Sequence, residues 1–261
     1  MRLKALLAPF VGVLLFLGAW CLLGWTVEWT RGIPFPLPPA VFERFWHFLQ
    51  GELLYQSPVW EHFWMSLKRW GVGYGIALVL GFGLGVLCGR VSWLYGAGMQ
   101  VGGVLQLMPG LAWIPFAMLL FGIGEKATVF MIVITAFGPV FVHTASSVRQ
   151  FPQHHLQMAR MLNLSRMRTL GMVVLPALAP SLLLGMRMGL AVGWRVLIAA
   201  EMVVGSSVGL GYAIIQSRWS LDFEAAFIAI GLICVVGIVS EKYLFGYVER
   251  LLHVRMGSAG I

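Results

Sequence analysis

Three ionisable side chains, Arg187, Arg195 and Glu201, lie within a single apolar run and are the residues best placed to do chemistry. An ionised group at the centre of a bilayer costs roughly 2.5–3.5 kcal/mol on insertion scales, so such groups face protein or water rather than lipid. At about 1.5 Å of rise per residue, Arg187 lies about 10 Å and Glu201 about 30 Å along a helix from Pro180. That puts Glu201 near the far boundary, lets Arg187 snorkel to the near one, and leaves Arg195 deepest. A guanidinium there offers a fork of donors suited to an oxyanion. The expectation is that Arg195 lines a path for such an anion. Its rival is a structural arginine held by a backbone carbonyl or by a residue on another helix. Trp113 and Trp194 are expected to edge the same path, with Arg187 and Glu201 along it toward its two ends. Pro109 and Pro115 join them, because each removes a backbone donor that only protein or water can compensate at membrane depth.

Other reactive patterns are missing from the sequence. The spans hold no paired carboxylates, no His-Glu-x-x-His and no Ser/His dyad, so an intramembrane enzyme is disfavoured. No Gly-x-x-x-x-Gly-Lys-Ser/Thr loop exists to hold nucleotide phosphates. His154 and His155 are adjacent, and adjacent helical positions point in different directions, which argues against a shared metal. Cys21, Cys88 and Cys234 have no metal spacing, and three is not a disulfide framework. The chain is therefore expected to hold no catalytic residue, metal or cofactor of its own.

A second constellation is basic and bounded by proline. It runs from Arg149 and Pro152 through Arg160, Arg166 and Arg168 to Pro176 and Pro180. Read as helix, 156–170 puts Met158, Leu162 and Ser165 close to one face, with Arg160, Asn163 and Arg168 elsewhere. Ser165 is suited to cap a second short helix over 166–173. Pro176 and Pro180 then end the loop and open the next apolar run. A charged helical loop in such a chain is a place for a soluble partner to grip.

The elements that must position these residues are membrane spans. Hydrophobic side chains make up 59% of the chain and charged ones 11%, with a mean hydropathy of +0.86. Soluble domains average about 45–50% apolar and about 25% charged residues, so a soluble reading fails. The 32 glycines and 11 tryptophans suit close helix packing and interfacial anchoring. A net charge of +8 reflects the Lys/Arg bias of cytoplasmic loops rather than affinity for nucleic acid. Apolar runs of about 20 residues predict six spans, at 6–27, 69–91, 97–121, 127–148, 180–204 and 224–247. The first run is longer than a signal-peptide core and lacks a small-x-small cleavage site, which predicts an uncleaved span. Pro34, Pro36, Pro38 and Pro39 make the start of the 34–68 loop extended. Helical spacing of Val41, Phe45, Phe48 and Leu49 predicts a surface helix over 40–54.

With the amino terminus inside, the cytoplasmic cations are Arg2, Lys4, Arg90, Arg149, Arg160, Arg166, Arg168, Arg250 and Arg255. Arg31, Arg44, Lys126 and Arg218 fall outside, with Lys68 and Arg69 at a boundary. This asymmetry favours cytoplasmic termini and a cytoplasmic 149–179 loop. The resulting division is an N-terminal span over 1–33, an extracytoplasmic loop over 34–68, a core over 69–250 and a cytoplasmic tail over 251–261.

Against that frame the segment Gln157-Met158-Ala159-Arg160-Met161-Leu162-Asn163, followed by Leu175-Pro176, resembles the coupling motif of ABC importer permeases. The family pattern is Glu-Ala-Ala, three residues, Gly, then Leu-Pro. Gln157, Met158 and Asn163 depart from it, though Asn tolerates the left-handed backbone that Gly supplies. Pro109-Gly110-Leu111-Ala112-Trp113-Ile114-Pro115 with Phe121-Gly122-Ile123-Gly124-Glu125 is similar to a stretch of nitrate, sulfonate and taurine-type permeases. So are Ser66-Leu67-Lys68-Arg69, Gly185-Met186-Arg187 through Trp194 and Ala199-Ala200-Glu201, and Gly209-Leu210-Gly211-Tyr212. In that group a neutral residue more often follows this tryptophan, so Arg195 is a departure. The likeness covers about 34–250 in the family's order and implies an all-α polytopic membrane protein of the type I ABC importer permease kind. It also implies ATPase subunits gripping Gln157, Met158, Ala159, Arg160, Leu162, Asn163 and Ser165. An extracytoplasmic solute-binding protein and a second copy of the chain would complete the transporter. Related permeases serve bicarbonate, cyanate and thiamine-precursor systems, which stand as alternatives to a sulfonate, taurine or nitrate. An ion-coupled secondary transporter is the rival of a different class, and predicts inverted repeats that the sequence lacks.

Overall fold

The computed structural model describes residues 2–205 and 207–247. Arg250, Arg255 and the 251–261 tail lie outside the described residues. The chain runs α1 (Arg2–Arg31), α2 (Pro38–Leu49), a short hairpin of β1 (Leu53–Leu54) and β2 (Ser57–Pro58), then α3 (Val59–Arg90) and α4 (Ser92–Leu107). A 3-10 turn (Gly110–Trp113) leads into α5 (Ile114–Phe121), followed by α6 (Glu125–Arg149), α7 (Gln153–Met161) and α8 (Arg166–Thr169). A π-helical turn (Leu170–Val174) joins α8 to α9 (Leu175–Val203), and α10 (Leu210–Ser220), α11 (Phe223–Ile238) and a second π-helical turn (Val239–Leu244) complete the fold. Among the described residues five helical stretches are long and apolar enough to cross a membrane, and α4 with α5 make a sixth if the bent pair counts as one span.

The centre is a layer of three helices, with α6 between α3 and α9. Small residues set their spacing. A Cβ on Gly81 of α3 would lie 2.7 Å from Val140 Cγ1 of α6, and one on Gly85 would lie 2.6 Å from Thr144 Cβ. Gly73 meets Ile132 and Gly89 meets Val148 in the same register, so α3 and α6 run parallel. On the other side Gly185, Gly189 and Gly193 of α9 meet His143, Ala136 and Ile132 in descending order, so α9 runs antiparallel. Such close approach is how helices associate where lipid gives no hydrophobic drive between them. The middle helix, α6, is accordingly the most buried of the spans.

Several sequence expectations are corrected here. The third span is not one continuous helix over 97–121: α4 and the following turn and helix meet at 103°. Pro109 opens the turn and Pro115 sits in the first turn of α5, where a missing amide donor costs least. The second span begins at Val59 rather than 69, after Pro58. The helix read over 156–170 is α7, ending at Met161, and the second short helix expected over 166–173 is α8 with the π-helical turn that continues it. Pro180 lies inside α9, whose first turn holds Pro176 instead. Helix α10 and the hairpin were not foreseen.

The helix expected over 40–54 ends at Leu49, and its inner face is covered by protein. Phe48 packs with Leu54, Val59 and the Ala213, Ala225 and Ile228 side chains of α10 and α11. By contrast, α1 stands off the bundle, its span almost entirely exposed. It is tied in by Trp20, which stacks on Phe227 at 4.9 Å and donates to the Pro36 carbonyl at 2.9 Å.

Candidate functional site

The loop between α6 and α9 is built from two successive caps. Pro152 in extended conformation starts α7. At its end Asn163 takes a left-handed φ of 50°. Its amide donates to the Arg160 carbonyl at 3.0 Å, and the Leu164 amide donates to the Ala159 carbonyl at 3.0 Å. That pair of bonds is a Schellman closure, and Asn is the residue after Gly best able to occupy its left-handed position. Two residues on, Ser165 accepts the Arg168 amide at 3.4 Å and starts α8 in extended backbone. Between these caps the direction of the chain is fixed by hydrogen bonds rather than by a flexible linker.

The loop has two unlike faces. Ala159 is buried, with 2% exposure, and turns toward the bundle. Met161, Leu162 and Met167 are 83%, 66% and 78% exposed, and Met158 adds to the same apolar patch. Gln157, Arg160, Asn163 and Ser165 are also exposed. Large apolar side chains projecting at a helical turn mark an interaction surface, and methionines adapt well to a partner's groove. Beyond α8 the backbone continues without a break from Arg166 to Val203 over 38 residues. The patch and α9 therefore belong to one helical rod.

At the opposite end of the bundle the buried charges meet. Glu201 of α9 is fully buried, and its carboxylate accepts Ser66 Oγ at 2.9 and 2.8 Å, Arg69 Nη1 at 2.8 Å and the Gly211 amide at 3.0 Å. Arg69, 3% exposed, also donates to the Val208 carbonyl at 2.6 Å and to Glu125 at 3.1 Å. The Leu210 amide donates to Ser66 Oγ at 2.9 Å. His62 accepts the Gly209 amide at Nδ1, 3.0 Å away, which leaves the ring proton on Nε2 facing the Leu54 carbonyl at 3.0 Å. Thus α3 and α9 hold the backbone of 208–211 by its own amides and carbonyls. Gly209, with φ 153°, has the Glu201 carboxylate 2.6 Å from where a Cβ would stand, so only glycine fits.

Two of the expected path residues are enclosed by protein. Glu201 was expected along a path, but all its polar atoms are bonded within the protein. Trp194 is 5% exposed, donates to the Ile233 carbonyl at 3.2 Å and meets Trp70 edge-on. Arg69, expected at a boundary, is instead the buried partner of Glu201. His62, Ser66, Arg69, Glu125 and Gly209 were missed as a group because their contacts join positions up to 147 residues apart.

Near Arg195 the broken span approaches α9. Gly110 of the broken span lies against Val196 and Thr135, and Trp113 and Ile114 pack on the same Val196 cluster. Arg195, next in sequence to Val196, is exposed, and its Nε donates to the Ala191 carbonyl at 3.2 Å. Its two terminal nitrogens have no partner among the described residues. Pro109 and Pro115 are exposed, while Trp113 is half-buried with an indole Nε1 that lacks a partner among the described residues. Arg187, two turns away from Arg195 on α9, reaches Glu241 at 3.5 Å in an exposed pair.

Comparison with known proteins places this arrangement. Residues 81–254 match the family model described as binding-protein-dependent transport system inner membrane component. The chain is 32% identical to the bicarbonate transport system permease protein CmpB of Synechococcus elongatus, over 93% of this chain and 88% of that protein. It is 34% identical to the nitrate import permease protein NrtB of Leptolyngbya laminosa, over 71% and 67% respectively. It is 29% identical to the taurine transport system permease protein TauC of Escherichia coli, over 87% and 83%. An inward-facing structure of the MetNI methionine ABC transporter has the same fold, with a TM-score of 0.56 at 19% identity, over 81% of this chain and 97% of that one.

Proposed function

This chain belongs to the family of binding-protein-dependent transport system inner membrane components and is a permease subunit of an ABC importer, and on that premise we propose that it conducts a small anion of the sulfonate, taurine, nitrate or bicarbonate kind. The observation that carries the coupling half of this reading is the double-capped loop of α7 and α8. It presents Met158, Met161, Leu162 and Met167 to solvent at one end of an apolar bundle. In this reading two copies of the chain form one pathway. Each loop, from Gln157 to Ser165, sits in a groove of an ATPase subunit that performs the hydrolysis. An extracytoplasmic solute-binding protein delivers the substrate to the end marked by Glu125 and Gly209. Both termini lie in the cytoplasm. No residue of this chain makes or breaks a covalent bond of ATP or substrate.

The mechanism follows from stiffness. Movement of the ATPase pair displaces the apolar patch, and the rod from Arg166 to Val203 carries that displacement along its length as a rigid body. Arg195 rides on this rod beside the turn at Gly110–Trp113, where the backbone is already broken. The anion preference rests on the free guanidinium edge of Arg195. The four named solutes share a negatively charged oxygen group, which that edge suits. Membership in a binding-protein-dependent family displaces the ion-coupled alternative, whereas thiamine-precursor and cyanate systems remain rivals for the substrate.

The test is assembly. Met161→Glu, which puts a charge at the most exposed point of the patch, should abolish co-purification of the ATPase while the permease still reaches the membrane at normal abundance. Unchanged recovery of the ATPase with both Met161→Glu and Leu162→Glu would remove the coupling assignment.

A further inference from the structure

Between the coupling loop and the neighbouring ends of α3, α6 and α9 lies a cavity of about 1050 Å³. Four arginines line it: Arg90 from the last turn of α3, Arg149 from the last turn of α6, Arg160 from α7 and Arg166 from α8. Among the described residues only Arg149 has a side-chain partner, Ser92 Oγ at 3.0 Å, with the Tyr95 ring 5.7 Å away. None of the four meets a carboxylate among the described residues. The segments that line the cavity supply none, since 62–124 and 126–200 contain no aspartate or glutamate. The deeper wall is apolar and includes Val86 and Leu178.

Four arginines around one space attract an anion into it, and the described residues offer none there. The hydrocarbon wall beside them favours an anion that itself carries hydrocarbon. We infer that the cavity seats an anionic phospholipid of the cytoplasmic leaflet, with its phosphate among the arginines and an acyl chain along Val86 and Leu178. Basic pockets between helices on the cytoplasmic side are suited to such headgroups, and guanidinium forks bind phosphate oxygens in pairs. The inference rests on the proposed cytoplasmic placement of the loop. It does not compete with ATPase docking, because Met161, Leu162 and Met167 form the opposite face and do not line the cavity. Lipid and ATPase occupy the loop from its two sides.

The test uses the purified permease–ATPase complex, with native mass spectrometry counting retained lipid after exchange into phosphatidylglycerol or phosphatidylcholine. Phosphatidylglycerol should be retained in preference. At about 1 kcal/mol per basic residue, Arg90→Gln and Arg149→Gln should each weaken that retention ~5-fold, and together ~25-fold. The Arg90→Lys/Arg149→Lys pair, which keeps the charge, should retain the preference, so general damage to the fold is excluded. Equal retention of the two lipids, or a double glutamine variant that holds phosphatidylglycerol like the parent, would overturn the inference. So would displacement of the lipid by excess inorganic phosphate, which would mark a site for a free anion. Co-purification of the ATPase, read from the same preparation, scores the coupling reading separately.

Discussion

Replacing Glu201 by alanine removes an acceptor on which three donors converge: the Ser66 hydroxyl, shared between the two carboxylate oxygens, Arg69 and the Gly211 amide. The loss leaves Arg69, only 3% exposed, with half of its ion pairing. Removing one member of a buried pair costs roughly 3–5 kcal/mol. The lower end applies, because Arg69 keeps the Val208 carbonyl and the Glu125 carboxylate. About 3 kcal/mol corresponds to a fall of ~6–12 °C in Tm, at ~2–4 °C per kcal/mol for a chain of this size. Glu201→Gln should fare little better. One of its two amide positions is an NH2, which must face either the Arg69 or the Gly211 donor. The assay is thermal unfolding of the purified permease–ATPase complex followed by tryptophan fluorescence. The Arg69→Met/Glu201→Met double variant should recover part of the loss, since no charge then remains buried without its partner. A Tm for Glu201→Ala within ~2 °C of the parent would refute the reasoning. Strict additivity of the two single changes in the double variant would do the same.

Other expectations follow from the same geometry. Asn163→Val puts a β-branched residue at φ 50° and should cost ~1–2 kcal/mol locally, lowering substrate-stimulated ATPase activity of the reconstituted transporter; Asn163→Gly should keep it. Gly189→Ala would place a Cβ 2.9 Å from the Ala136 carbonyl oxygen. Backbone cannot move aside as a side chain can, so α6 and α9 separate at a cost of ~1–3 kcal/mol, measurable as a lowered Tm and reduced abundance in the membrane. Arg195→Gln should reduce uptake of the anionic substrate by at least ~10-fold, about the 1.4 kcal/mol of a weakened charge-assisted bond, with expression unchanged. Uptake at the parental rate and selectivity would return Arg195 to a structural role.

Much of this architecture was readable along the chain, because hydropathy and caps are local properties. The six apolar runs map onto the long helices and the bent pair. The left-handed Asn163 and the capping Ser165 sit where residue chemistry put them. What was not readable depends on encounters between distant segments. Arg69 follows Lys68 near an expected boundary and reads as an interfacial cation; only the extension of α3 back to Val59 brings it to depth beside Glu201, 132 positions away. The right-angled turn at Pro109 was readable as a kink but not in its angle, which is set by the seat of Gly110 on α9. Helix α10 escaped notice because it is short and of mixed polarity, and is held by Tyr55, Ser217 and the neighbouring helices rather than by its own pattern.

The uninterrupted helix from Arg166 to Val203 has a further bearing on how such a chain tolerates change. Each helical residue advances the azimuth by about 100°, and this single shaft indexes the exposed methionine patch at one extremity against the Glu201 cluster at the other. Deleting one residue anywhere between Val174 and Leu184 would turn every side chain beyond it by that angle, swinging Glu201 away from Ser66 and Gly189 away from Ala136 at a stroke. Point replacements on the lipid side of the same stretch leave the phase untouched. Lineages descended from this sequence should therefore vary freely in residue type along the shaft while keeping its length constant to the residue, and confine their insertions to places such as the Leu54–Ser57 hairpin, where no phase is carried forward.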